Sequence, residues 1–291
     1  MNLKNIERIF TPPAPHFVGD GFRVHNFIPG IEELSMRRMD PFLLLDYNSK
    51  VNFPPSEKPR GVGVHPHKGF ETVTIAYQGK IQHHDSNGGG GIIGEGDIQW
   101  MTAASGILHK EYHELEFSKK GGEFQMVQLW VNLPEKYKKS QPKYQPILNS
   151  KIPKYNFGNM SSIEIIAGEY FDIKGVAETY SPINLFNVKS NKDDVAEFHF
   201  PSYYNTFLLV IEGEILVNDI SSVQLDNLAL FENSGEKFFI KSIQDSVVLI
   251  LSGEPLNEPL SAYGPFVMNT REEILEAYRE FNSGKFGFLE D

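Results

Sequence analysis

The sequence predicts an all-β protein: two antiparallel β-barrel or jelly-roll domains, closed by a short C-terminal helix. Three observations carry this expectation. Runs rich in β-branched and aromatic residues, such as ETVTIAYQ and NTFLLVIEGEILVN, are broken by glycine turns every several residues, as in an antiparallel barrel. The same texture recurs in the second half of the chain, so the architecture is duplicated. A sustained helix period appears only near the end, in NTREEILEAYREFNSGKFG.

At 291 residues the chain has room for two domains, and 40% hydrophobic with 12% aromatic residues is a globular composition. It has no cysteine, which removes disulfides, thiolate ligands and thiol nucleophiles and is compatible with a reducing cytoplasm. A net charge of −11 argues against direct binding of nucleic acid or anionic membrane. MNLKNIERIF lacks the apolar core of a signal peptide, and aliphatic runs such as Val247 to Leu251 are too short to span a bilayer. A cytoplasmic monomer is expected.

The first elements are an extended proline-rich lead-in, Thr11 to His16, and short strands around the Gly-Asp-Gly turn of VGDGFRVHNFIPG. His16 and His25 have no histidine or carboxylate at i±2 and are expected as surface or packing residues. PFLLLDY, from Pro41 to Tyr47, is a buried strand, and NFPPSEKPRG is a proline-punctuated loop near the mouth of any site that follows. Gly88 to Gly91 form a hairpin tip; a phosphate loop would need a Gly-Lys-Ser/Thr and a helix, and neither follows.

QMVQLWVNLP closes the first domain, and EKYKKSQPKYQPI is expected as a helical turn and linker. The predicted domains are therefore residues 1–140 and 141–291. On that linker, Lys136, Lys138, Lys139 and Lys143 are expected to form a solvated basic face. At the C-terminus, Thr270 and Glu273 have capping-box spacing, Ile274, Tyr278 and Phe281 form a stripe, and Gly284 can end a packing helix.

The chemistry concentrates in HPHKGFE and GILHKE. On a strand, residues i and i+2 share a face, so His65 pairs with His67, and His109 with Glu111. If the two strands face each other, three neutral imidazoles and a carboxylate converge, a donor set for Fe(II), Mn, Co, Ni, Cu or Zn that can leave positions open for substrate or dioxygen. Glu71 has the same parity as the first pair and competes as the carboxylate ligand. Pro66 cannot donate to a ladder and belongs at an edge, strand start or bulge. His83 and His84 point to opposite faces, so at most one looks inward; His83 and Asp85 are expected beside the site or in a turn.

These motifs, together with the HHDS turn and its glycines, GDIQWMTAASGILHKE, QLWVNLP and GEPLNEPLSAYGPFVMNT, resemble the pirin family over nearly the whole chain. The resemblance implies a bicupin with one mononuclear metal, usually iron, in the N-terminal domain. Its ligands would fall on His65, His67, His109 and Glu111, with Glu71 beside the metal. In the second half, FHFPSYY offers only His199 and GEKFFIKS stands where the second histidine motif would be, so no ligand set is expected there.

The family resemblance implies a quercetin 2,3-dioxygenase, which opens the flavonol heterocycle with dioxygen and releases carbon monoxide. The deprotonated 3-hydroxyl would ligate the metal, and Glu111 would also take the hydroxyl proton. Phe53, Phe70, Trp100 and Met101, apolar neighbours of the motifs, are candidates to line the pocket, with core packing the expected role of any one of them. The alternative implied by the family is a non-catalytic, iron-dependent redox sensor that binds protein partners. The acidic balance makes those partners proteins rather than DNA.

Overall fold

A computed structural model describes residues 2–290. Its strands in the first half are β1 (Ile6–Phe10), β2 (His16–Val18), β3 (Phe22–Ile28), β4 (Phe42–Phe53), β5 (Gly61–His67), β6 (Phe70–Gln78), β7 (Ile81–Asp85), β8 (Gly90–Ile93), β9 (Ile98–Thr102), β10 (Ile107–His113), β11 (Gly122–Asn132) and β12 (Lys143–Ile147). The chain divides into two compact units, and both are cupin domains. The first comprises Pro13–Ser150 with Leu256–Asp291, the second Met1–Pro12 with Lys151–Pro255.

The first unit holds a seven-stranded sheet in the order β12-β9-β6-β11-β4-β3-β2 and a four-stranded sheet in the order β5-β10-β7-β8. The second repeats the plan. Its seven-stranded sheet runs Ile6–Phe10, Leu228–Phe231, Asn205–Glu212, Ser246–Gly253, Ile183–Ser190, Ser161–Ala167, Lys154–Phe157, and its four-stranded sheet runs Val195–His199, Lys237–Ser242, Glu214–Val217, Ser221–Gln224. The duplication expected from the glycine-punctuated texture is thus present as two sheet pairs of seven and four strands.

The units are not the contiguous halves expected from a division at residue 140. Residues 143–147 form β12 and pair with β9, so the segment read as a linker completes the larger sheet of the first unit. β1 pairs with Leu228–Phe231 and so joins the second unit. Residues 256–291 return to the first unit, where Phe266 bridges Lys68 and the Val267 amide donates to the Lys68 carbonyl at 3.0 Å. These pairings join residues up to about 220 positions apart, and no local period in the sequence encodes them.

Lys138 is another correction to the expected solvated face. It is 1% exposed, and its ammonium donates to the Asn132 side chain at 2.6 Å and to the carbonyls of Gly69 and Val267 at 2.7 and 3.3 Å. Burial pushes its pKa down to about 8, against the opposing pull of Glu258, Asp40 and Glu273. One cation thereby ties together the end of β11, the turn after the His65/His67 pair, and the returning C-terminal segment.

The C-terminal helix, Arg271–Asn282, starts with the anticipated capping box between Thr270 and Glu273. Its Ile274 and Ala277 pack with Phe266, Met268 and Phe286. Among the described residues, no helix is long and apolar enough to cross a membrane.

The turn joining β5 to β6 depends on Gly69, whose φ is +89° and whose missing Cβ would lie 1.8 Å from the Val267 carbonyl oxygen. Gly69→Ala is therefore expected to cost roughly 1–3 kcal/mol from backbone strain alone and to loosen the returning segment. Calorimetric melting, with hydrogen exchange at Val267, checks both effects.

Candidate metal centre

The inward positions of the small sheet follow strict alternation. On β10, Ile107, His109, Glu111 and His113 are buried while the residues between them are half-exposed; on β7, Ile81, His83 and Asp85 are buried. β10 lies between β5 and β7. His109 stands directly opposite His65 across the ladder, and Ile107 opposite His67. β5 is the edge strand, so Pro66, opposite Leu108, sits where a missing amide donor is tolerated.

The result is a tight trio of imidazoles. Ring centroids are 4.9 Å apart for His65 and His67, 4.2 Å for His65 and His109, and 4.6 Å for His67 and His109. One nitrogen from each lies within 4.8 Å of the others, the arrangement of a ligand group. The hydrogen bonding fits a metal as well. His65 Nδ1 lies 2.8 Å from the Gly63 carbonyl and His67 Nδ1 lies 3.4 Å from the Pro265 carbonyl, so each Nδ1–H donates outward and Nε2 keeps its lone pair. Both ring nitrogens of His109 are buried without a partner. Such a group costs free energy unless something binds it.

Electrostatics point the same way. The pKa values of His67 and His109 are held well below the ordinary imidazole range, first by burial and then by neighbouring imidazoles. Both rings are therefore neutral, the form that ligates a cation.

The two carboxylates are placed differently. The register shifts between His109 and Glu111 by one extra residue on β5, so Glu111 stands opposite Val62 while keeping the inward face of His109; the close ligand group itself is His65, His67 and His109. Its Oε1 accepts from Gln99 Nε2 at 2.6 Å and Thr74 Oγ1 at 3.1 Å, and its Oε2 from Gln128 Nε2 at 2.7 Å. All three donors come from the seven-stranded sheet. Glu71 does not share the face of the histidine pair, because the turn at Gly69 transfers the chain from the small sheet to the large one. It accepts from Thr102 Oγ1 at 2.7 Å, and burial pushes its pKa up to about 7.

His83 is fully buried on β7, stacked on Tyr144 and edge-on to His109, with centroids 5.2 Å apart in both contacts. His84 is half-exposed, as alternation requires. Asp85 is a turn residue that accepts from the amides of Asn87 and Gly89.

Of the four apolar neighbours of the motifs, Phe70 packs on the His67 ring at 5.0 Å. Phe53 instead belongs to an aromatic core with Phe22 and Phe124, Met101 packs with Ala103 and Ile107, and Trp100 is fully buried on β9. Strand position fixed their burial; it could not say which buried space they fill.

The open space beside the imidazoles is a small cavity of about 30 Å³ bordered by His65, Glu111, Asp46, Gln128 and the apolar Val24, Val62 and Met126. Asp46 and Gln128 did not stand out in the sequence. The available signal was polarity inside apolar strands: Asp46 interrupts PFLLLDY, and Gln128 interrupts QMVQLW.

The pirin family model matches residues 21–131, and the model of the pirin C-terminal cupin domain matches residues 185–287. The chain belongs to the pirin family. A solved structure of an Acinetobacter baumannii quercetin 2,3-dioxygenase is similar to this pirin with 46% identity and a TM-score of 0.92, covering 98% of this chain and 99% of that one. A Pseudomonas aeruginosa relative, provisionally named a quercetin 2,3-dioxygenase, is 43% identical over 98% of this chain and 99% of its own. The Escherichia coli pirin YhhW, solved in complex with nickel(II), shares the fold with a TM-score of 0.62 at 17% identity, covering 85% of this chain and all of that one.

The metal-free protein is expected to be acid-labile. His83 and His113 are buried with pKa values depressed to about 4, burial being the main cause in both. Their unfolded forms take up protons first, so stability present above pH 6.5 is lost as the pH falls towards 4, each contributing up to roughly 3 kcal/mol. Glu71 acts with the opposite sign: its raised pKa means the folded state binds the proton, which favours folding at acid pH. Glu71→Gln should therefore steepen the loss of melting temperature between pH 6.5 and 4.5, measured by circular dichroism in the presence of a chelator.

Proposed function

We propose that this pirin is a metal-dependent dioxygenase that opens flavonols such as quercetin, taking up dioxygen and releasing carbon monoxide. The observation that carries the proposal is the trio of imidazoles with one ring nitrogen from each within 4.8 Å of the others, and with both nitrogens of buried His109 unpartnered, in a chain similar over nearly its whole length to a solved quercetin 2,3-dioxygenase. His65, His67 and His109 are the proposed ligands, with Glu111 as a fourth and Fe(II) as the ion. A redox-capable ion held there supplies Lewis acidity and a path for electrons between flavonol and dioxygen.

The remaining work falls to the chain itself. Backbone carbonyls at Gly63 and Pro265 fix the orientation of His65 and His67. Phe70 and Trp130 lie against the His67 ring, at 5.0 and 5.2 Å, and keep water from that side. The apolar border of the cavity favours a flat aromatic ligand. At about 30 Å³ the cavity is no larger than the space of one water, so a flavonol must widen it on entry, beside half-exposed Val62 and His65.

Protein loaded with Fe(II) should contain one ion per chain by elemental analysis. Two tightly held ions would contradict a single N-terminal site. His109→Ala should lower the metal content several-fold.

Loaded protein should consume dioxygen and bleach quercetin absorbance, while flavones without the 3-hydroxyl stay inert. His109→Ala should reduce the rate at least about 100-fold, to the background of free metal. Intact, iron-loaded protein that takes up no dioxygen with quercetin would overturn the proposal.

A further inference from the structure

A flavonol must lose its 3-hydroxyl proton, and the carboxylate nearest the imidazoles in sequence is poorly placed to receive it. Both oxygens of Glu111 are already occupied by Thr74, Gln99 and Gln128. A proton arriving at either oxygen must compete with these donors for its lone pairs. The cavity that borders His65 and Glu111 contains a second carboxyl, Asp46 on β4. Asp46 lies between Asn26 on β3 and Gln128 on β11 in the ladder. Its Oδ1 accepts one side-chain bond, from Asn26 Nδ2 at 2.7 Å.

We propose that Asp46, rather than Glu111, accepts the substrate hydroxyl proton in this cavity, an assignment that rests on the flavonol reading of the site. In the step, the O–H bond of the hydroxyl breaks and its electron pair stays on the flavonol oxygen. The proton passes to an Asp46 carboxylate oxygen and returns to product or solvent at the end of the cycle. No oxidant is needed for this transfer.

Its acid strength suits the task. Burial, the largest influence, pushes the Asp46 pKa up to about 6, while the Asn26 hydrogen bond and the charge of His16 pull it down. A carboxyl of that strength is ionised at neutral pH yet basic enough to share a proton with an acidic enol. The titratable groups around it are His16 on β2, His65 on β5 and Glu111 on β10; Asn26 and Gln128 are neutral. A cation held by the three histidines further favours the carboxylate form.

The test uses protein loaded with Zn(II), a redox-inactive ion, titrated with quercetin under anaerobic conditions. In the unmodified protein at pH 7, binding should move the flavonol absorbance to longer wavelength as the 3-hydroxyl ionises. Asp46→Asn should bind quercetin within a few-fold of the same affinity by tryptophan quenching, yet show the shift only at a pH at least one unit higher. Asn26→Ala removes the hydrogen bond that pulls the Asp46 pKa down, makes the carboxylate a stronger acceptor and should move the midpoint to lower pH. With Fe(II), Asp46→Asn should lose about 100-fold in turnover while retaining its metal.

Asp46→Asn protein that shows the same shift at the same pH would overturn the assignment and leave the flavonol reading standing. Unmodified protein that binds no quercetin overturns both. Melting temperature verifies that each variant is folded.

Discussion

The structure turns on one cross-strand pair, His65 opposite His109. Directly opposed residues on an antiparallel ladder bring their side chains within contact distance, so this register alone joins the two histidine motifs, 44 positions apart, into a single cluster. A slip of one residue would send His109 to the outer face. The rest of the first unit reads as protection for that register. The turn at Gly69, the Lys138 ammonium and the returning strand at Phe266 all fasten the end of β5, which as an edge strand has a ladder partner on one side only.

The same cluster carries a cost. Unpartnered ring nitrogens on His83 and His109, and neutral imidazoles far from water, are unfavourable in a hydrophobic interior. The second unit shows what the fold does without that demand. Its interior is filled by Phe186, Phe198, Phe231 and Phe238 among aliphatic neighbours, and Phe198 and Phe238 face each other across the small sheet. His199 there is exposed and bonds to Glu197, beside Lys237. One architecture is thus used twice, once as an apolar core and once around a polar cluster.

Glu111 connects the two sheets of the first unit. It projects from the small sheet and is held by Thr74, Gln99 and Gln128 of the large one, so its position is set by three strands at once. That over-determination suits a residue that must keep a fixed orientation. Asp46, with a single side-chain donor in the same cavity, has the freedom that a proton acceptor needs. The division of labour between the two carboxylates is a matter of hydrogen-bond supply.

The sequence by itself determined the all-β class, the duplication, the capped C-terminal helix and the pairing of His65 with His67 on one face, because each follows from a period of two or 3.6 residues or from a turn residue. It also confined Pro66 to an edge, strand start or bulge, since a residue without an amide hydrogen cannot serve an inner ladder, and the sheet order then made it an edge. Tertiary structure decided everything that depends on which distant strands meet. A positive-φ turn moved Glu71 to the other sheet, and a bulge on β5 set Val62 rather than Gly63 opposite Glu111. Burial turned Lys138 from a surface charge into a clasp, and chain return placed residues 256–291 beside the histidine pair. Asp46 and Gln128 entered the site by the same route, since strand alternation says that a side chain points inward but never what it will find there.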